Sequence, residues 1–137
     1  MEISDALDFL RTNHRGVLIT RGPGGRVQSS PVVAGVDEDG RVAISSRETA
    51  YKVKNLMRDP QASYCGFPDG FFGSWVQVDG SVEVVHLPEA MERLVDLYRS
   101  LAGEHPDWDE YRRVMVDEHR TVVRLRPDHA YGMLARG

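Results

Sequence analysis

The alternation of apolar and polar residues along the chain predicts six β-strands joined by short helices and tight turns. An alternation of period two is typical of a strand with one buried face, and apolar residues three and four apart are typical of a helix. The predicted strands cover residues 15–21, 26–36, 41–45, 62–67, 74–86 and 121–125. The predicted helices cover residues 4–13, 49–58, 88–102 and 107–118.

Local signals predict several ends of these elements. Ser4 is expected to cap the first helix, and Pro88 is expected in the first turn of the third helix. Asp107 and Glu110 form a capping pair for the fourth helix. Gly80 predicts a bulge or bend in the long fifth strand. Strands joined by tight turns are antiparallel, so the predicted fold is a small, mainly antiparallel β-barrel with helices at its connections.

Length and charge narrow the class of protein. The chain has 137 residues, which predicts a single domain over residues 1–137. The formal net charge of -4 argues against a nucleic-acid surface. No apolar run approaches the length of a membrane span, and the acidic start lacks the pattern of a secretory signal. The only cysteine, Cys65, cannot form an intramolecular disulfide, which favours a cytoplasmic location.

The sequence does not predict a metal site, a nucleophilic serine or a reactive cysteine. The five histidines have no metal-ligand spacing with a cysteine or an acid, so no metal site is predicted. Ser29 and Ser30 lack the glycine frame of a nucleophilic serine. Cys65 lies in an apolar strand and is interpreted as a packing residue.

The two lysines form the most informative cluster. The chain has 15 arginines and two lysines, Lys52 and Lys54, which lie two positions apart. They follow a strand that ends in Ser45 and Ser46, and they open a helix. Hydroxyls, free helical N–H groups and cations together suit a phosphate. A solvated basic face is the alternative, and it is favoured by the pattern alone.

Four further residues have both a functional and a packing interpretation. Gln28, Ser30 and Pro31 on the second strand can present polar groups to a planar ligand, or they can simply alternate outward. Trp75 can form a stacking wall, or it can belong to ordinary barrel packing.

The same residues carry a family resemblance. Five segments occur in order: GVLIT at 16–20, QSSPVV at 28–33, AISS at 43–46, KVKNLMRDP at 52–60 and VDGSVEV at 78–84. Together they resemble the pyridoxamine 5'-phosphate oxidase-like, FMN-binding split β-barrel. The segments LYRSLAGEHPDWDEY at 97–111 and AYG at 130–132 are similar to the actinobacterial branch of oxidoreductases that depend on the deazaflavin coenzyme F420.

The resemblance implies a six-stranded antiparallel split barrel that forms a homodimer, with two cofactor sites in the grooves between the subunits. It implies that the cofactor phosphate meets Ser45, Ser46, Lys52, Lys54 and Asn55. It implies that the ring lies along Gln28, Ser30, Pro31 and Val32, with Trp75 of the other subunit as a wall. The implied cofactor is F420, with FMN as the alternative.

The implied activity is hydride transfer from the reduced deazaflavin to an unsaturated or quinone-like small molecule. Because the hydride chemistry belongs to the cofactor, no side chain is named as a catalytic acid or base. Two alternatives stay open: an FMN-dependent oxidoreductase of the same fold, and a non-catalytic protein that binds a flavin, haem or a lipid.

The chain departs from its relatives at one cation. Relatives often have an arginine two positions before the first lysine, where this chain has Ala50. Arg47 is the nearest substitute in sequence. The chain is also shorter than a true pyridoxamine phosphate oxidase and lacks the tryptophan before Arg124 that such an enzyme carries. Vitamin B6 oxidation is therefore not expected.

Overall fold

A computed structural model of the protein describes residues 1–135. Its strands are β1 Arg15–Arg21, β2 Val27–Val36, β3 Val42–Arg47, β4 Gln61–Phe67, β5 Trp75–Val85 and β6 Arg120–Met133. Its helices are α1 Ile3–Leu10, α2 Tyr51–Arg58, α3 Met91–Ala102 and α4 Trp108–Asp117, and a 3₁₀ turn covers Pro23–Gly25. No helix among these residues is long and apolar enough to cross a membrane.

The six strands close into an antiparallel barrel in the order β1-β2-β3-β6-β5-β4. The predicted fold is therefore confirmed. The longest ladder joins β5 to β6, and its register shifts between Asp79 and Gly80, which confirms the irregularity predicted at Gly80. A Cβ atom at Gly80 would lie 1.8 Å from the Arg126 carbonyl oxygen, so only glycine allows this close approach of the two strands.

Two apolar clusters stabilise the fold. The barrel interior is filled from alternate strand positions by fully buried side chains such as Leu18, Tyr64 and Val78. Helices α1 and α2 pack against this interior through Leu10 and Leu56. The second cluster lies between the outer face of β3 and β6 and the pair α3 and α4. Of β2, this helix pair covers only the C-terminal end, where Gly35 lies beside Leu97 and Ser100 of α3.

The predicted capping of α4 is confirmed, and two other predicted helix starts are wrong. The Asp107 side chain accepts a hydrogen bond from the Glu110 amide at 3.1 Å. Ser4 does not cap α1, because the Glu2 carbonyl already accepts bonds from the amides of residues 5 and 6, and the helix begins at Ile3. Pro88 lies in a turn over residues 87–90, so α3 begins only at Met91.

The last strand differs most from its prediction. It was expected to end at residue 125, and it continues to Met133. Residues 126–129 are polar or proline and do not alternate, but β5 pairs with this segment as far as Trp75 opposite Met133. Pairing with a neighbouring strand therefore overrides the local pattern.

Candidate functional site

The most unusual feature of the barrel is that β2 lacks a paired neighbour along most of one edge. β2 pairs with β1 over residues 27–33 but with β3 only over residues 34–36. Beyond Ile44 the end of β3 pairs with β6 alone. None of residues 27–33 is buried, and the side chains of Val27 and Val33 are 64% and 54% exposed. We call the unpaired edge of β2 over residues 27–33 the open edge.

The hydrogen-bond pattern identifies which backbone groups the open edge presents. The Ala34 amide donates to the His14 carbonyl at 2.7 Å, so even-numbered residues of β2 bond to β1. In an antiparallel ladder the intervening residues direct their N–H and C=O groups to the opposite side. The odd-numbered residues from 27 to 33 therefore face the open edge. At this edge, a planar ligand with amide-like groups can bond to the backbone as another strand would.

A cleft of about 470 Å³ lies at one end of the open edge. It is formed where the N-terminal turn of α2 approaches β1 and β2. Its lining residues are Thr20, Gln28, Ser29, Ser30, Ala50, Tyr51, Lys52 and Asn55. The cleft therefore contains four of the residues implied by the family resemblance: Gln28, Ser30, Lys52 and Asn55.

Asn55 is the internal anchor of this cleft. Its side chain is buried, and its Nδ2 donates to Gln28 Oε1 at 2.7 Å and to Thr20 Oγ1 at 3.1 Å. Its Oδ1 accepts from Arg58 at 2.9 Å. With these three bonds the amide has no free N–H, so Asn55 holds Gln28 in place and ties α2 to both strands.

Lys52 supplies an unpaired positive charge. Its side chain is half-buried in the cleft, and no described carboxylate forms an ion pair with it. Burial, and after it the positive charge of Arg120, lowers the pKa of Lys52. Folding thus desolvates one cation beside another, which costs free energy that a bound anion would offset.

Arg120 reaches this position from the opposite end of the sequence. It is the first residue of β6 and stands opposite Arg47 of β3. Arg120 Nε donates to Glu118 at 2.8 Å, and Arg47 lies 3.6 Å from the other oxygen of the same carboxylate. Arg47 and Arg120 thus share one carboxylate, and the positive charge of Arg120 also acts on Lys52.

The other residues implied by the resemblance lie around the cleft or apart from it. Ser46 is buried, and its hydroxyl makes only a long bond of 3.4 Å to the Arg47 carbonyl, while Ser45 is partly buried opposite Val122. Lys54 is exposed and does not line the cleft. Their contact with a ligand stays a prediction.

Pro31 and Val32 line a second, neighbouring groove. This groove has a volume of about 520 Å³ and also contains Val33 and Phe67. The cleft and the groove share β2, so together they follow the open edge. Trp75 lies elsewhere, on β5, with its ring 5.5 Å from that of Tyr131 in an edge-to-face contact. It lines neither space of its own chain, and its role as a wall stays a prediction.

Thr20, Tyr51 and Arg120 are among the residues of this region that were not predicted from the sequence. Thr20 occupies an inward position of an alternating strand, where a polar residue is uncommon, and this was a usable signal. Tyr51 directly precedes Lys52 but is 79% exposed at the rim. No local signal could have identified Arg120, because only the β3–β6 ladder brings it near Lys52.

Solved structures resemble this chain over nearly its whole length. A conserved hypothetical protein from Mycobacterium tuberculosis superposes with a TM-score of 0.78 and 23% identity, covering 100% of this chain and 92% of that one. A protein described as an F420 reductase superposes with a TM-score of 0.69 and 17% identity, covering 90% and 94%. A heme binding protein from Mycobacterium smegmatis superposes with a TM-score of 0.75 and 18% identity, covering 98% of this chain and 55% of that one. At these identities the likeness shows the fold.

The sequence itself identifies the family. The profile described as pyridoxamine 5'-phosphate oxidase matches residues 4–134. This range includes all six strands, the helices α2, α3 and α4, and all residues of the cleft. The chain thus belongs to the pyridoxamine 5'-phosphate oxidase family.

Proposed function

We propose that the protein is a homodimeric oxidoreductase that uses the reduced deazaflavin coenzyme F420 to transfer a hydride to an unsaturated or quinone-like small molecule. The observation that carries this proposal is the position of Lys52 at one end of the open edge, a half-buried cation that has no carboxylate partner among residues 1–135. An anion site thus adjoins a backbone edge that suits a flat ring.

The cleft fits the phosphate end of the cofactor. A phosphate beside Lys52 would neutralise a desolvated charge and would favour the protonated ammonium that folding disfavours. Arg120 would add attraction through space, and it provides a cation in a region where Ala50 supplies none. The hydroxyls of Ser45 and Ser46 and the ammonium of Lys54 remain proposed contacts.

The open edge fits the ring. Flavins and deazaflavins both have a pyrimidinedione edge in which an N–H lies between two carbonyls. Such an edge can bond to the alternating N–H and C=O groups that the odd residues of β2 present. Gln28, held by Asn55, would lie at one end of the ring, and the groove beyond Pro31, near Val33 and Phe67, would enclose the other end.

The cofactor supplies the hydride chemistry, and the protein supplies binding, orientation and exclusion of water. Lys52 would hold the anionic end, the open edge would orient the ring plane, and Asn55 would keep Gln28 in position. No residue of the cleft is assigned as an acid or a base.

A second copy of the chain would complete the site. Large apolar side chains lie exposed on the barrel and on the loop between β4 and β5: Val27, Val33, Phe71, Phe72, Tyr131, Met133 and Leu134. Tyr131, Met133 and Leu134 lie close together at the end of β6, and a cluster of exposed apolar side chains is typical of an interaction surface. A homodimer that buries these side chains could bring Trp75 of one subunit over the groove of the other. The F420 reductase among similar folds supports membership of the F420-dependent branch, and the unpaired Cys65 agrees with a cytoplasmic location.

Two alternatives have specific support. FMN has the same pyrimidinedione edge and a terminal phosphate, so the same site would accept it. Tyr51 lines the cleft, and a phenolate can ligate haem iron, which supports a non-catalytic haem-binding role like that named for one of the similar structures.

Titration of the purified protein with F420, FMN and haem, followed by tryptophan fluorescence, separates the three possibilities. Micromolar binding of F420 with weak binding of FMN and haem supports the proposal. Tight FMN binding would favour the first alternative, and tight haem binding the second. No binding of either flavin-type cofactor would rule out both oxidoreductase functions.

A further inference from the structure

The open edge has an interruption at its centre. Ser29 offers an N–H and a C=O to this edge, and Val33 offers its N–H, because the Ala34–Ile44 pairing turns the Val33 C=O to the Ser45 amide. Pro31 offers only a C=O. Successive residues of one parity stand about 6.7 Å apart along a strand, so Pro31 leaves a stretch of about 13 Å between the N–H groups of its two neighbours. Across this stretch the edge presents acceptors only.

Pairing within the barrel does not require a residue without an N–H here. Pro31 stands opposite Val17, and this pair belongs to the set that makes no ladder hydrogen bonds, so an ordinary residue would pair with β1 equally well. The Pro31 side chain is exposed in the groove. The missing N–H therefore affects only what meets the open edge from outside.

From this acceptor-only centre we infer that Pro31 makes the site selective for a deazaflavin over a flavin. The inference rests on the proposed function and concerns the choice of cofactor within it. A flavin has a nitrogen at ring position 5 whose lone pair requires a donor, and a deazaflavin has a C–H at the same position. A C–H directed at a carbonyl oxygen is weakly favourable, whereas a nitrogen lone pair facing the same oxygen lacks its hydrogen bond.

The location of Pro31 supports this assignment. It lies between the cleft, which contains the cation for the phosphate, and the apolar part of the groove near Phe67. A three-ring ligand anchored at Lys52 and extended along the open edge would have its central ring at the middle of the edge. Position 5 belongs to that central ring.

The experiment compares FMN with 5-deazariboflavin 5'-phosphate, which differ only in the atom at position 5. Because both have the same phosphate and sugar-alcohol chain, the contribution of Lys52 cancels in the ratio of their dissociation constants. The ratio is measured for the wild type, for Pro31→Ala and for Val32→Ala. Val32→Ala is the matched control, because it removes the same number of side-chain carbons from the same groove and leaves the open edge unchanged.

We expect the wild type to bind the deazaflavin about tenfold more tightly than FMN, the effect of one unmatched acceptor. Pro31→Ala should reduce this ratio to near unity, and Val32→Ala should preserve it. As a second readout, the ¹⁵N resonance of FMN labelled at position 5 should move toward its hydrogen-bonded value in Pro31→Ala only. If the role of Pro31 were purely structural, its replacement would not shift this resonance.

Three results would overturn the inference. Equal ratios in the wild type and Pro31→Ala would show that the proline only prevents another strand from adding to the edge. A hydrogen-bonded position-5 nitrogen in the wild type would contradict it even if Pro31→Ala did not fold. Binding of neither compound by the wild type would reject the proposed function and this inference together, whereas binding of both with an unchanged ratio rejects the role of Pro31 alone.

Discussion

Asn55 donates from Nδ2 to Gln28 Oε1 at 2.7 Å, and this bond connects the buried face of α2 to the open edge of β2. The same amide nitrogen also bonds to Thr20 Oγ1. Asn55 therefore acts on the cleft through Gln28. A residue in this role should affect both stability and binding, and the two effects can be separated.

Asn55→Ala should lower the free energy of unfolding by about 2 kcal/mol, because it removes a hydrogen-bond partner of the buried Thr20 hydroxyl and of the Gln28 and Arg58 side chains. It should also weaken cofactor binding by releasing Gln28. The check is a double-mutant cycle with Gln28→Ala, measured by denaturant unfolding and by cofactor titration. In the Gln28→Ala background, Asn55→Ala should still destabilise the protein but should have little further effect on affinity. An undiminished effect on affinity would mean that Asn55 contacts the cofactor directly.

Lys52→Ala should weaken the binding of a phosphate-bearing cofactor about tenfold or more, since a charge-assisted contact is lost. Lys54→Ala is the matched control, because Lys54 is exposed and lies outside the cleft, and we expect a smaller effect. The measurement is the dissociation constant for FMN beside that for riboflavin, which lacks the phosphate. If Lys52→Ala weakened the binding of riboflavin as much as the binding of FMN, the phosphate would not lie at Lys52.

The pKa of Lys52 provides a test that requires no activity. Burial and the charge of Arg120 hold it below the ordinary lysine value of 10.5. Protonated Lys52 therefore destabilises the folded state, and this penalty disappears as the pH rises from below the folded pKa to above the unfolded value. Arg120→Gln should raise the pKa of Lys52, and so should a bound phosphate ester.

The protein suits this measurement, because NMR of labelled lysine side chains has only two signals to assign. Lys54 is the internal reference. Arg47→Gln is the matched variant, since Arg47 shares Glu118 with Arg120 but is more exposed. An equal shift for both variants, or none for Arg120→Gln, would remove Arg120 from the cation group of the cleft.

Met133→Glu should convert a dimer to a monomer. Met133 is 60% exposed at the end of β6, close to other exposed apolar residues, so a buried glutamate at a dimer interface would be costly while the monomer should tolerate it. Val116→Glu is the control, because Val116 is 52% exposed on α4. Analytical ultracentrifugation should show dimers for the wild type and Val116→Glu. A monomeric wild type, or a dimeric Met133→Glu variant, would contradict the proposed interface.

The sequence pattern predicted the strands well where alternation and turn residues agree. β1 has the predicted bounds, and Gly80 lies at an irregularity of β5 as expected. Residues 126–133 were missed because proline and polar residues there hide a strand that only its pairing with β5 reveals. The predicted cap at Ser4 is wrong because α1 begins earlier, with Glu2 at the N-cap position, so Ser4 lies inside the first turn of the helix.

The site was predictable where its residues lie in one segment and unpredictable where the fold assembles it. Lys52 and Asn55 lie in one short helix and were identified together. The contact of Asn55 with Gln28 joins residues 27 positions apart, and Arg120 approaches Lys52 only through the β3–β6 ladder. The open edge itself depends on where β3 leaves β2, and no pattern within either strand encodes that point.

The most direct test of the proposed function is a crystal structure of the protein with F420. We predict a dimer with the cofactor phosphate within hydrogen-bond distance of Lys52 and the ring edge bonded to the backbone of Ser29 and Val33. Binding elsewhere would contradict this, for example in the cavity of about 260 Å³ that Asp37, Arg93 and Leu97 help to line between α3 and the barrel.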